Sequence, residues 1–287
     1  MSNNPLAVSV CILNFNTKAH LINCLTYLFR NTKNLKMEVF VTDNGSVDDS
    51  VQSVKKNFPQ VHVIANPPKD SLKGWRGYNQ ATAQCKGKYI ITLNSDILIP
   101  PNALAKMIKF LEAHKDAAAA SCRQIDDKGN LDYTCSRFPH PLIEFFQSNV
   151  LAKVFKNQKL IKNYRYGSWH RDTVRMVDVI SGSFFFANAA LIKKVGYFDE
   201  NLLLYYGEND LCLRIKKAGL SVYHNPKVTI IHLRSQSVNK LPPWQLFQIT
   251  LHDMLYYYKK HFGLAWWLFL WITYRANWIY WRLQSLK

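Results

Sequence analysis

The fold is decided by the stretch Val8-Ser9-Val10-Cys11-Ile12-Leu13-Asn14-Phe15-Asn16, where an apolar run changes abruptly to polar side chains. The segment Ala7–Leu13 is short, apolar and rich in β-branched residues, so it predicts a buried strand. Thr17 follows the polar end and can cap a helix. That helix is predicted from leucines at helical spacing, Leu21, Leu25 and Leu28.

The same pattern recurs along the first hundred residues. Three further apolar runs predict buried strands: Met37–Thr42, Val61–Ala65 and Tyr89–Leu93. Helical periodicity lies between them, so we expect a mostly parallel central sheet that is covered by helices on both sides. Three polar clusters follow strand ends: Asn14–Asn16, Asp43–Ser46 and Asn94–Asp96. Ligands of such sheets bind beyond the carboxyl ends of the strands, which predicts a nucleotide crevice there.

Composition limits the class of protein. The 287 residues fit one large domain or two small ones, and a hydrophobic content of 48% excludes wholesale disorder. The formal net charge of +18 predicts an anionic partner, such as a nucleic acid, a nucleotide diphosphate or an acidic membrane surface. None of the six cysteines has Cys-x-x-Cys spacing, so a zinc site has no support. Without a secretory signal pattern in Met1–Pro5, we expect a cytoplasmic protein.

Residues 241–287 differ from the rest in being both aromatic and basic. The uninterrupted apolar run Leu264–Tyr274 is shorter than the ~20 residues that span a bilayer. Aromatic side chains favour the headgroup region, and Lys and Arg favour anionic lipid. We therefore expect a C-terminal amphipathic helical extension that lies on the inner face of the cell membrane. Packing of this segment against the body of the protein or against a partner, and a true span, remain alternatives.

Four acidic or histidine motifs carry candidate chemistry. Asp43 at a strand end can accept hydrogen bonds from a base or ribose, although such residues also form ordinary turns. Asp96 can bind a divalent cation that bridges phosphates. Glu208 and Asp210 point in different directions if a helix begins there, so one can be structural while the other acts as a general base. His232 follows the last predicted strand and offers a metal or phosphate contact.

Together and in this order, the motifs resemble the inverting family 2 glycosyltransferases with the GT-A fold. The likeness is strongest to bacterial rhamnosyltransferase-like members, which build cell-surface polysaccharides, and it covers roughly residues 6–237. The stretches that carry it are residues 8–16, Asp43-Asn44-Gly45-Ser46, Asn66, Gly74-Trp75-Arg76-Gly77-Tyr78-Asn79, Leu93-Asn94-Ser95-Asp96, Ser181-Gly182-Ser183, Gly196-Tyr197-Phe198-Asp199-Glu200, Glu208-Asn209-Asp210-Leu211-Cys212-Leu213-Arg214 and His232.

The resemblance implies a role for each matching residue. Asp43 would bind the nucleotide base or ribose, Asp96 would hold Mg²⁺ or Mn²⁺ on the donor diphosphate, and Glu208 would be the catalytic base. His232 would complete the metal or diphosphate site. The remaining donor-side residues are Asn14, Asn16, Asn44, Gly74, Asn79, Asn94 and Ser95. The metal motif of the family usually begins with Asp, where this chain has Asn94.

The reaction implied by the resemblance is a single displacement that inverts the anomeric centre. A hydroxyl of a glycan or lipid-linked acceptor would lose its proton to Glu208 and attack a nucleotide-diphosphate sugar, dTDP-rhamnose as the first expectation or a UDP-sugar. Residues 1–240 would form the catalytic domain. Its donor side would be about 1–123 and its acceptor side about 124–240, and residues 241–287 would be the membrane-association segment.

Two other classes remain as alternatives. A nucleotidyltransferase with a related α/β core would carry a glycine-rich phosphate loop after the first strand, where this chain has Asn14-Phe15-Asn16-Thr17-Lys18. A basic nucleic-acid-binding protein would fit the charge. Its aromatic residues, however, would spread through a basic groove rather than gather in one apolar segment, so we expect no nucleic-acid partner.

Overall fold

The structure is a computed structural model that describes residues 6–148, 158–234 and 241–284. The strands in these ranges are β1 (Val8–Asn14), β2 (Met37–Asp43), β3 (His62–Ala65), β4 (Tyr89–Asn94), β5 (Ile97–Leu98), β6 (Ala117–Ile125), β7 (Leu131–Asp132), β8 (Cys135–Ser136), β9 (Arg175–Met176), β10 (Val179–Ile180), β11 (Phe184–Asn188) and β12 (Ser221–His232). The α-helices are α1 (Lys18–Asn31), α2 (Ser50–Asn57), α3 (Gly74–Thr82), α4 (Ala103–Ala113), α5 (Pro141–Ser148), α6 (Gln158–Tyr164), α7 (Ala189–Val195), α8 (Gly207–Lys217), α9 (Pro243–Phe262), α10 (Leu264–Thr273) and α11 (Arg275–Gln284).

The first four strands pair in parallel in the order β3-β2-β1-β4. The register places Asn14 opposite Asp43, and Leu13 opposite Asn94. The polar residues that end three separate strands are therefore brought to one edge of the sheet. This is the edge where ligands bind in open α/β sheets.

The sheet separates two hydrophobic cores. Val8, Val10 and Ile12 belong to the core that α1, α2 and α4 cover, whereas Cys11 belongs to the core on the opposite face. Successive side chains of a strand point to opposite faces, so this alternation follows from the sequence of β1. Helices α3, α8 and α9 cover the second core.

The second half of the chain makes the sheet mixed. Strand β11 lies between β4 and β6 and is antiparallel to both, while β6 and β12 pair in parallel. Phe184 at the start of β11 lies opposite Leu93 at the end of β4. The chain thus re-enters the sheet from the edge that carries the polar clusters. The predicted α/β class is confirmed, with parallel pairing confined to β3-β2-β1-β4 and β6-β12.

The C-terminal helices divide into α9, which is packed in the body, and α10 and α11, each of which has one buried side and one exposed side. Phe247, Met254 and Tyr257 of α9 are buried in the second core. In α10 and α11, by contrast, Ile272 is 60% exposed and Leu283 is 58% exposed. No helix in the described ranges is both long and apolar enough to cross a membrane. The predicted boundary at residue 241 therefore precedes a helix that belongs to the body.

The sequence predicted most local elements correctly. All four predicted strands of the first half are present. Thr17 directly precedes α1, but the predicted cap is wrong: its hydroxyl donates to Asn14 Oδ1 at 2.6 Å and makes no capping bond to the helix.

Candidate active site

The polar residues at the ends of β1 and β2 bind one another. Asn14 donates from Nδ2 to Asp43 Oδ2 at 2.7 Å, and Asp43 Oδ1 accepts the backbone N–H of Ser46 at 2.8 Å. Both Asn14 and Asp43 are buried. Asn16 Oδ1 accepts the backbone N–H of Val47 at 2.8 Å. These bonds hold the turn that follows β2 against the end of β1.

A cavity of about 490 Å³ opens beside this turn. The predicted site residues that line it are Asn44, Gly74, Asn94, Ser95, Asp96, Glu208 and His232. Asn14, Asn16 and Asp43 are not part of the lining and lie in the network behind it. Asn79 is also outside the lining, and its amide exchanges two hydrogen bonds with the backbone of Phe198, at 2.8 and 3.1 Å.

Neighbouring side chains fix the loop that carries Asp96. Tyr78 donates from its hydroxyl to Asn94 Oδ1 at 2.9 Å, and the hydroxyls of Thr17 and Ser95 lie 2.7 Å apart. The backbone carbonyl of Asp96 accepts the N–H of Leu233 at 3.0 Å. This last bond places the end of β12, with His232, beside Asp96.

Asp96 and His232 form a mostly buried pair that fits a divalent cation. Nε2 of His232 lies 3.4 Å from Asp96 Oδ1, and Nδ1 lies 3.6 Å from Asp132 Oδ2. Within the described chain neither ring nitrogen has a hydrogen-bond partner. Burial alone would lower the pKa of His232, but the two carboxylates outweigh it and raise this pKa to about 9. At this pKa the ring is protonated at neutral pH, so a metal ion that bound here would have to displace that proton before Nε2 or Nδ1 could act as a ligand.

A cation bound by this pair would need further ligands. No group of three or more metal-binding side chains occurs among the described residues. Mg²⁺ is commonly held by one or two carboxylates and takes its other ligands from phosphate oxygens and water. Asp96 and His232 therefore fit a cation that arrives with, or is completed by, a phosphate-bearing ligand.

Glu208 lies in the first turn of α8 and faces the cavity. Its Oε2 is buried and has no hydrogen-bond partner in the part of the chain that is described. Burial raises the pKa of Glu208 to about 7, and the charge of Asp253 adds to this rise. A carboxylate that titrates near neutral pH is suited to general base catalysis. Glu208 also lines a second cavity, of about 600 Å³, and so lies between the two.

Asp210 has the opposite environment, only one half-turn away on α8. It is fully buried and accepts hydrogen bonds from Arg214 Nε at 2.8 Å, Lys260 Nζ at 2.6 Å and His261 at 2.8 Å. Burial would raise its pKa, but His261, Lys260 and Arg214 hold the pKa of this carboxyl well below its usual range. Asp210 therefore stays ionised and joins α8 to α9.

Sequence reasoning missed Asp253, which shapes the loop before Glu208. This fully buried carboxylate accepts the backbone N–H groups of Leu203, Leu204 and Tyr205 at 2.9, 2.8 and 2.8 Å. Leu204 and Tyr205 line the first cavity. A signal was present, because Asp253 is the sole acidic residue of the aromatic and basic segment 241–287.

Trp75 is a second residue whose position the sequence did not reveal. Its indole lines the first cavity and packs so closely on α8 that a Cβ on Gly207 would lie 2.3 Å from Trp75 Cε2. A Cβ on Gly182 would lie 2.7 Å from the same ring. Gly182 and Gly207 are thus required for a flat aromatic wall next to Glu208. No short-range pattern connects residues so far apart in the chain.

Two named rhamnosyltransferases are similar to this chain in sequence. It is 32% identical over 145 residues to the rhamnosyltransferase WbbL of Escherichia coli, a match that covers 50% of this chain and 52% of that protein. It is 23% identical over 251 residues to the N-acetylglucosaminyl-diphospho-decaprenol L-rhamnosyltransferase of Mycobacterium tuberculosis, covering 80% of this chain and 77% of the relative. The chain thus spans about half the length of the E. coli relative.

Solved structures share the fold. A mannosyltransferase of Pyrobaculum calidifontis, solved with GDP-mannose and Mn²⁺, superposes with a TM-score of 0.56 at 15% identity over 90% of this chain and 64% of its own. GalNAc-T7, solved with UDP, GalNAc and Mn²⁺, gives a TM-score of 0.58 at 14% identity over 92% of this chain and 52% of its own. The predicted GT-A fold is confirmed by these neighbours. The sequence profile described as Glycosyl transferase family 2 matches residues 9–185, which is more than half of the chain. The chain belongs to glycosyl transferase family 2.

Proposed function

We propose that this chain transfers a sugar, with inversion, from a nucleotide-diphosphate sugar to a hydroxyl of an acceptor. The observation that carries the proposal is the position of Glu208, which lines both cavities and whose Oε2 has no hydrogen-bond partner among the described residues. An inverting displacement needs this arrangement, because the acceptor and the leaving diphosphate occupy opposite faces of the anomeric carbon. Membership of the family favours sugar transfer over nucleotidyl transfer.

Asp96 and His232 would hold the divalent cation, Mg²⁺ or Mn²⁺, at the donor diphosphate. Such a cation stabilises the negative charge that grows on the leaving group. Support comes from the His232 ring, which is buried without a hydrogen bond in the described chain and lies 3.4 Å from a carboxylate oxygen. The archaeal mannosyltransferase of the same fold was solved with a sugar nucleotide and Mn²⁺. Asn44, Gly74, Asn94 and Ser95 would form the donor side of the cavity, with Asn14, Asn16 and Asp43 supporting it from behind.

Glu208 would accept the proton of the acceptor hydroxyl. Its pKa of about 7 means that a large fraction of the side chain is ionised at neutral pH, while its basicity exceeds that of an ordinary carboxylate. The acceptor would occupy the second cavity, which is lined by polar side chains that include Ser136, Tyr164 and Asn209. Asp253 would keep the loop before Glu208 in place through its three backbone hydrogen bonds.

The proposed donor sugar is rhamnose, carried as dTDP-rhamnose, with a UDP-sugar as the second choice. Two relatives are named as rhamnosyltransferases, and the name of the mycobacterial one includes a diphospho-decaprenol, a lipid-linked acceptor. We therefore propose a glycan or lipid-linked acceptor and a role in the synthesis of cell-surface polysaccharide.

A lipid-linked acceptor would require the protein at a membrane, and α10 and α11 offer a surface for it. Leu264, Ile272 and Leu283 are each more than half exposed. The guanidinium of Arg275 lies 3.9 Å from the centroid of the Trp271 ring, which places a cation beside an interfacial aromatic residue. We propose that this apolar and basic surface lies on the anionic cytoplasmic face of the cell membrane.

The donor and metal are tested by a screen of sugar nucleotides against the purified protein with Mg²⁺, Mn²⁺ or EDTA. We expect slow donor hydrolysis and thermal stabilisation that require the cation, and both should be lost in Asp96→Ala. Asp127→Ala removes an exposed carboxylate elsewhere and is the matched control. Donor turnover that is undiminished in excess EDTA would contradict the metal role, and the failure of every sugar nucleotide would contradict the function.

The membrane surface is tested by co-sedimentation with anionic and neutral vesicles. We expect binding to anionic vesicles that weakens as salt is added, and a strong loss of binding in the double variant Ile272→Glu, Leu283→Glu. The control is Val47→Glu, because Val47 is 84% exposed but lies outside this surface. Equal recovery of the wild-type protein in the supernatant with and without anionic vesicles would contradict the membrane role.

A further inference from the structure

Two cysteines on neighbouring elements touch through their sulfur atoms. Sγ of Cys11 in β1 lies 3.4 Å from Sγ of Cys85, which follows the end of α3. We propose that this pair is a dithiol site, which hydrogen peroxide or a comparable two-electron oxidant converts reversibly into a disulfide. The proposal is independent of the enzymatic activity proposed above.

The two thiols are held in contact by the backbone around them. The N–H of Cys85 donates to the carbonyl of Thr82 at 3.2 Å, and its thiol donates to the carbonyl of Ala81 at 3.4 Å. On the other side, the N–H of Gly87 donates to Ser9 Oγ at 2.8 Å. A Cβ on Gly87 would lie only 2.6 Å from the backbone nitrogen of Ser9, so this loop lies directly against β1. The backbone therefore holds the two cysteine-bearing segments against each other, which keeps the two sulfur atoms within reach.

The two thiols differ in access and acidity, as an attacking and a resolving thiol should. Cys11 is fully buried, whereas Cys85 is partly exposed between the exposed residues Gln84 and Lys86. The hydrogen bond with Cys11 lowers the pKa of Cys85, while burial raises the pKa of Cys11. The thiolate is the nucleophile in this chemistry, so an oxidant meets the more reactive of the two sulfurs first.

The reaction balances with one equivalent of peroxide. The Cys85 thiolate attacks one peroxide oxygen, the O–O bond breaks, and Cys85 becomes a sulfenic acid as hydroxide leaves and takes up a proton to become water. The Cys11 sulfur then attacks the sulfenic sulfur, and the S–O bond breaks. The oxygen leaves with its own proton and takes up the proton of the Cys11 thiol, so that a second water forms. The two thiols together lose two electrons, and the peroxide gains them.

The disulfide would join two segments that lead into the candidate active site. Strand β1 ends at Asn14, and α3 begins with Gly74 and Trp75, both of which line the first cavity. The bond would also close the chain between residues 11 and 85 and so restrict the unfolded state. We therefore expect the oxidised protein to unfold at a higher denaturant concentration than the reduced protein.

The experiment uses the reduced full-length protein and needs no substrate. After treatment with one to a few equivalents of hydrogen peroxide, free thiols are alkylated in denaturant and the protein is digested without reductant. Of the six cysteines, all of which are free thiols, we expect four to be alkylated and a crosslinked peptide to contain Cys11 and Cys85. A dithiol reductant should restore all six.

Two variants separate the roles of the thiols. Cys85→Ser should keep every remaining thiol alkylatable at the same dose, because the other cysteines are buried. Cys11→Ala should trap Cys85 as a sulfenic acid that a dimedone probe labels. If six thiols of the wild-type protein stay alkylatable, or if Cys85 gains oxygen while Cys11 stays free, the proposal is wrong. The wild-type result decides the matter even where a variant fails to fold.

Discussion

The replacement Glu208→Gln tests the assignment of the catalytic base, because it keeps the size of the side chain and removes its basic site. Asp96 and His232 are untouched, so donor and metal binding should survive. Turnover should fall by about 10²–10⁴-fold, the usual contribution of general acid–base catalysis. The measurement is a pair: donor affinity by calorimetry, and kcat with an acceptor that the wild-type enzyme uses.

The pH dependence makes this prediction sharper. Burial raises the pKa of Glu208 from an ordinary value of 4.5 to about 7. Only the ionised carboxylate accepts a proton, so wild-type kcat/KM should fall about tenfold for each pH unit below the pKa and level off above it. Glu208→Gln should lose this acid limb and keep only a low residual rate.

The same carboxyl provides a stability measurement that needs no substrate. Its pKa is higher in the folded protein than in the unfolded chain, so the protonated form favours folding. This contribution is complete below about pH 4.5 and is lost as the pH rises through about 7. The difference between these two pKa values corresponds to on the order of 3 kcal/mol. Glu208→Gln does not titrate, so its free energy of unfolding should rise relative to wild type between pH 5 and pH 8.

Glu112→Gln is the matched control, since Glu112 is an exposed glutamate bonded to Lys88 and lies in neither cavity. Neither its turnover nor its pH profile should differ from wild type. Near-wild-type turnover in Glu208→Gln would refute the base assignment. A free energy of unfolding that depends on pH in the same way for Glu208→Gln and wild type would refute the raised pKa.

Three further replacements test the surroundings of the base. Asp210→Asn removes the charge that pairs with three cationic or histidine side chains, so we expect a loss of about 3–5 kcal/mol in the free energy of unfolding, measured by urea denaturation. Asp253→Asn removes the charge that adds to the pKa of Glu208, so the acid limb of the pH–rate profile should move to lower pH; an unmoved limb would contradict the coupling. Gly207→Ala should displace Trp75, lower the free energy of unfolding and reduce kcat strongly. Adding Trp75→Ala should restore much of this loss in stability, because it removes the clash, and additive losses in the double variant would contradict the contact.

The secondary-structure elements that the sequence predicted correctly are those whose formation depends on residues close together in the chain. Each of the strands β1, β2 and β4 is an apolar run that ends in a polar residue, and the register of parallel pairing then brings Asn14, Asp43 and Asn94 to one edge. The grouping of Asp96, Glu208 and His232 around one cavity was reached by resemblance. It could not follow from local pattern, because these residues are far apart in the chain.

What the sequence did not reveal depends on contacts between distant segments. The donor-side residues that the resemblance implies include Asn79 in α3, but its amide is bonded to the backbone of Phe198, a residue of the other half. Likewise, nothing in the amino-acid composition of β11 predicts that this strand inserts between β4 and β6 and runs antiparallel to both. Periodicity reports which face of an element is buried, and it does not report what buries it.

Helix α9 has the aromatic and basic composition that predicted a membrane-binding segment, but it packs in the body of the protein beside Glu208 and Asp210. Its apolar side chains fill the second core, and its polar ones act on the two carboxylates of α8 in opposite ways. Lys260 and His261 neutralise Asp210 and lower its pKa, whereas the charge of Asp253 contributes to the raised pKa of Glu208. Burial raises the pKa of both carboxyls, and it is the main cause of the raised pKa of Glu208. At Asp210 the cationic and histidine partners, two of them from α9, outweigh burial and keep the carboxylate ionised. The chain from Pro243 to Phe262 is therefore packed into the body of the protein beside the candidate active site, and the exposed apolar surface that we propose for membrane binding lies in α10 and α11, beyond it.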